Sequence, residues 1–141
     1  MMSVKNISIG MVLFVFSSMT LAAGPTPQQC QQAFRLGGNT DVNFKDVTPN
    51  NWNSQYLPAI WVDNGGHFLS RIKESARGGA AGIYTPSDLE SFVRSGSVIK
   101  GGQTDRWMIN KIEVKSYSVI FDINPSSKKC ELVTFLIADN K

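Results

Sequence analysis

The chain has 141 residues, a single histidine, two cysteines and a formal net charge of +3. One histidine cannot supply the three or four closely spaced His, Cys or carboxylate ligands of a zinc site. No P-loop, dinucleotide-binding glycine motif or Gly-x-Ser-x-Gly elbow occurs either, so neither metal nor cofactor is expected. The weak positive charge admits an anionic partner without demanding one.

Residues 1–23 follow the grammar of a secretory leader. Lys5 is the positive n-region, Ile7 to Phe16 the apolar stretch, and Leu21-Ala22-Ala23 the small-residue cleavage site. That stretch falls short of the about 20 apolar residues that a membrane helix needs. Cleavage leaves Gly24–Lys141 as a single domain of 118 residues, with 13 basic residues against 11 acidic ones. The expected location is periplasmic or secreted, with no membrane attachment once the leader is removed. Cys30 and Cys130 are then expected to pair in an oxidising compartment.

Gln28 to Leu36 reads as a short helix that buries Cys30, Ala33 and Phe34 by the 3-4 spacing, and Gly37-Gly38-Asn39 ends it. A polar segment follows, with a turn at Pro49-Asn50-Asn51. Its Trp52, Tyr56 and Trp61 read in two ways, as a cover for the core or as an aromatic contact surface. His67 to Ala76 is the second helix, with Phe68, Leu69, Ile72 and Ala76 as its apolar stripe. The third carries the clearest signals: Thr85 as N-cap, Pro86 at N1, Asp88 at N3, a buried Leu89-Phe92-Val93 stripe and Gly96 as terminator.

Beyond Gly96 the period changes to two. Arg106 to Lys115, Ser118 to Asn124 and Cys130 to Ala138 read as strands, with Asn124-Pro125-Ser126-Ser127 turning the second into the third. Helices followed by an antiparallel meander make an α+β fold, N-terminal helices packed on a C-terminal antiparallel sheet.

The chemistry concentrates at Gly65-Gly66-His67-Phe68-Leu69-Ser70-Arg71. His67 and Arg71 are i,i+4 neighbours on one helical face. An imidazole exchanges protons near neutrality, and a guanidinium one turn away holds an anion. The same pair also reads as an ordinary surface or cap feature. Lys111, Glu113 and Lys115 alternate with Ile112 and Val114 as a solvated strand face, or Lys100, Arg106, Lys111 and Lys115 form a basic track along a nucleic-acid backbone.

The Gly-Gly-His-Phe-x-x-Arg helix start, the capped helix at Thr85-Pro86-Ser87-Asp88-Leu89, and the strands Asp105-Arg106-Trp107-Met108-Ile109 and Glu131-Leu132-Val133-Thr134-Phe135 resemble a known group. It comprises the metal-independent ribonuclease toxin domains of the barnase, EndoU, colicin and RelE-like type. The resemblance spans roughly His67 to Ala138. It implies RNA cleavage by transesterification, with His67 as general base or acid and Arg71 and Arg106 on the scissile phosphate. Thr134 would orient that phosphate, Lys111 would contact the substrate, and a small acidic immunity protein would be a partner. The sequence departs from the pattern at Ile72 and Lys73, where many such domains place a second histidine, and at Leu136-Ile137-Ala138, where an aromatic-Pro ending is common. The alternative is a non-catalytic periplasmic or secreted binding or inhibitor protein.

Overall fold

The computed structural model describes Gly24–Asp139; the expected leader lies outside the described residues. The chain opens with α1 (Pro27–Gln32), which starts where predicted because Thr26 and Gln29 form a reciprocal capping box. It ends four residues before Leu36, since Ala33 already closes the last turn. A 3-10 turn (Phe44–Asp46) leads to α2 (Pro49–Asn51), capped by Thr48 and continued by a wider turn over Trp52–Tyr56. Next come β1 (Trp61–Val62) and α3 (His67–Ile72). The chain then makes a wide turn (Ser75–Gly79), so the predicted helix to Ala76 is shorter than its apolar pattern and Ala76 is exposed.

The helix α4 (Pro86–Ser95) forms as its sequence signals require. Thr85 Oγ1 accepts from the Asp88 N–H at 3.1 Å, and Asp88 accepts in return from the Thr85 N–H at 3.0 Å. Leu89, Phe92 and Val93 are buried. Gly96 ends the helix with φ −76°, not in the left-handed conformation of a usual terminator. Its lack of a side chain matters for a different reason: a Cβ there would meet Ile109 Cγ2 at 2.6 Å.

The sheet comprises β1, β2 (Ser97–Lys100), β3 (Arg106–Ile112), β4 (Lys115–Asn124) and β5 (Lys129–Asp139), in the order β1-β5-β4-β3-β2. β2 to β5 form the antiparallel meander, while β1 pairs with β5 in parallel. The sequence reading missed β1 and β2, each too short to show a period. It also carried the first strand through to Lys115, whereas Glu113-Val114 is a hairpin tip and Lys115 already belongs to β4.

Helices and loops pack on one face of this sheet. Phe34, Trp52, Phe68, Leu69, Ile72, Leu89 and Val93 meet Ile109, Val119, Phe121 and Phe135 in a single core. Trp61 binds the assembly together: its indole N–H donates to Cys30 O at 2.8 Å, and its ring lies 5.1 Å from both Phe34 and Phe121. The Cys30–Cys130 disulfide fastens α1 to β5 across 100 residues of sequence. A cross-link of that span stabilises by up to about 4.7 kcal/mol through lost chain entropy in the unfolded state.

Candidate functional site

Gly65 and Gly66 both take left-handed conformations (φ 73° and 72°), a pair of turns that L side chains strongly resist. They swing the chain so that Asp63 reaches back over the start of α3. Its carboxylate accepts the N–H groups of Phe68 at 3.1 Å and Leu69 at 2.8 Å, satisfying two orphan donors of the helix N-terminus. Asn53 holds Asp63 in place by accepting its N–H at 2.8 Å and donating to its carbonyl at 3.0 Å.

Asp63 is fully buried. Burial pushes its carboxyl above the ordinary 3.8, outweighing the Leu69 and Phe68 amides, the Trp52 indole and the nearby His67, all of which favour the charged form. The Trp52 Nε1 is buried without a well-formed hydrogen bond among the described residues, so it acts on Asp63 as an electrostatic neighbour. Sequence reasoning passed over Asp63. The available signal was an aspartate followed by Asn-Gly-Gly immediately before a helix.

His67 is the first residue of α3 and stands exposed, while its neighbours Phe68 and Leu69 are buried. Arg71 follows one turn on, its side chain 36% exposed and its guanidinium donating to Glu74 at 2.9 Å. Arg77 approaches the same carboxylate at 3.4 Å. The two expected catalytic groups thus share a short helix at the solvent boundary.

Arg106 and Thr134 lie elsewhere. Register pairs Arg106 with Asp122, and Thr134 with Ile120. Asp122 and Ile120 flank the core residue Phe121 and therefore face the other side of the sheet from α3. A register shift in the β4–β5 ladder separates Leu132, opposite Phe121, from Thr134, opposite Ile120. Thr134 therefore points away from Cys130 and Leu132, although alternation alone would put all three on one face. Arg106 forms a two-pronged pair with Asp122 at 2.9 and 3.0 Å. The sheet thus stands between His67 and Arg71 on one side and Arg106 and Thr134 on the other.

The basic track is likewise divided. Lys100 Nζ donates to three carbonyls (Gly101, Gln103 and Arg106), and Lys111 lies 5.7 Å from the Phe92 ring on the helix-bearing side. Lys115 sits 3.7 Å from Asp139. Of the expected solvated face, Glu113 and Lys115 are exposed as read, but Lys111 is half-buried while Ile112 stands exposed. Trp52, Tyr56 and Trp61 are all buried, which removes them as an aromatic contact surface.

What the structure does assemble is the sheet face turned away from the helices. One row across it reads Ile99, Met108, Ile120 and Thr134; the next reads Ser97, Asn110, Ser118 and Leu136. Asn110 Nδ2 donates to Ser116 Oγ and Ser118 Oγ, both at 2.8 Å, giving the face a satisfied polar centre. Around it Ile99 (41%), Ile112 (63%) and Leu136 (45%) are exposed, with Val114 (87%) at the adjoining hairpin tip. These are four of the five large apolar residues that stand exposed among the described residues. No protein-family model, curated protein or solved structure matches this chain.

Proposed function

We propose that this is an exported, non-catalytic binding protein of the periplasm or the extracellular space, and that the helix-free sheet face recognises another protein. The gathering of exposed Ile99, Ile112 and Leu136 around one face, with Val114 at its adjoining hairpin tip, carries this reading, because apolar side chains concentrated on one exposed face mark interaction sites. On that face Arg106 is paired in place with Asp122. Recognition there rests on shape and apolar contact more than on steering by charge. The disulfide is compatible with an oxidising compartment and supplies a rigid frame for such a surface.

Affinity capture from envelope and secreted fractions tests the proposal. Immobilised wild type should retain a specific protein that an Ile112→Lys, Leu136→Lys double variant loses and that His67→Ala keeps. Equal retention by all three proteins would exclude the sheet face as the recognition surface.

Ribonuclease activity is the second reading. The observation favouring it is the exposed imidazole of His67 one helical turn from the half-exposed Arg71. It requires EDTA-insensitive cleavage of tRNA or mixed RNA that His67→Ala abolishes, and it adds a small acidic immunity protein as partner. Intact RNA after prolonged incubation with the oxidised wild type eliminates it.

A further inference from the structure

A groove of about 330 Å³ opens between the Phe44–Asp46 turn and the Ile83–Tyr84 segment, away from the open sheet face. Its size is at the lower end for small-molecule sites. Phe44, Ile72 and Ile83, all buried, form an apolar floor, and Tyr84 stands 56% exposed at the rim. The two walls are tied together by the Phe44 N–H, which donates to Tyr84 O at 2.8 Å.

The charged residues lining the groove are both lysines, Lys45 and Lys73. Lys73 Nζ is anchored by donation to Val47 O at 2.8 Å, and the same lysine borders an adjoining cavity of about 270 Å³ beside Leu69 and Ser70. Glu74, next to Lys73 in sequence, is engaged with Arg71 and Arg77.

We infer that this groove is a binding site for a small anion with a flat apolar body, of the aromatic carboxylate class. The apolar floor takes the ring, Tyr84 offers an exposed aromatic face against it, and the lysines meet the carboxylate. A neutral ligand of the same shape gains only the first two contacts.

Calorimetric titration of the oxidised protein with 2-naphthoate tests this, with 2-naphthylmethanol as the uncharged comparison. Naphthoate should bind at one site, and Lys45→Met and Lys73→Met should each weaken it by about fivefold. The alcohol should bind more weakly to wild type and be indifferent to either lysine substitution. Tyr84→Leu should weaken both ligands. Arg35→Met removes the same charge from an exposed position outside the groove and should leave binding unchanged. Thermal melts of each variant separate lost binding from lost folding. Absence of naphthoate binding, equal binding of the alcohol, or equal weakening by Arg35→Met would overturn the assignment.

Discussion

At the scale of single residues, Asp63 does most to hold the His67 segment. Asp63→Ala leaves the Phe68 and Leu69 N–H groups without their acceptor in a buried setting and should cost on the order of 3 kcal/mol, read from urea unfolding. Asp63→Asn keeps the volume but turns an amide NH₂ toward a second N–H, so it should fall between wild type and Asp63→Ala. The pH dependence follows from the raised pKa of the carboxyl. Because the native state holds this proton to higher pH than the unfolded chain, native Asp63 binds more protons there and stability falls as pH rises. The fall begins near the ordinary 3.8 and levels off above the raised native value. The difference in unfolding free energy between wild type and Asp63→Asn should therefore shrink across that window and be flat above it; a difference that grew with pH would mean that hydrogen bonding outweighs burial. His67→Ala, by contrast, removes an exposed ring and should change stability by less than about 0.5 kcal/mol.

At the scale of elements, α4 carries its own reciprocal N-terminal cap, whereas the N-terminus of α3 is capped from outside the helix by Asp63. Thr85→Ala should cost about 1 kcal/mol of unfolding free energy, because the reciprocal Thr85–Asp88 bonds satisfy N-terminal donors that nothing else reaches. The open sheet face behaves differently: Ile112 and Leu136 already stand exposed to water. Ile112→Lys or Leu136→Lys should change stability by no more than about 0.5 kcal/mol while affecting recognition, a separation that thermal melts and capture experiments read independently. A large loss of stability in either variant would mean that the side chain serves the fold.

At the scale of the whole molecule, the disulfide sets how well the described domain tolerates the small size of its core. Reduction, or Cys30→Ser with Cys130→Ser, should lower the unfolding free energy by about 2–5 kcal/mol and shift the thermal midpoint accordingly. The unfolded chain would regain freedom over a span of 100 residues, while the native contacts of Trp61 with Cys30 O, Phe34 and Phe121 would remain. Chemical denaturation with and without reductant measures the difference directly.

The α+β class, the starts of α1, α3 and α4, the Asn124–Ser127 turn and the Cys30–Cys130 pairing were all legible in the sequence, because each rests on local spacing, a cap residue or a simple count, whereas α2 read only as a turn. The candidate site was not. His67 and Arg71 are neighbours by helical spacing alone, but whether Arg106 and Thr134 join them depends on which face of the sheet each residue occupies. A register shift settled that for Thr134, and pairing with Asp122 settled it for Arg106. The short strands β1 and β2, the burial of Asp63 and the open apolar face were equally beyond local pattern. A side chain's sequence fixes its own preferences, whereas facing, burial and convergence belong to contacts between segments far apart in the chain, and only the packed structure brings those segments together.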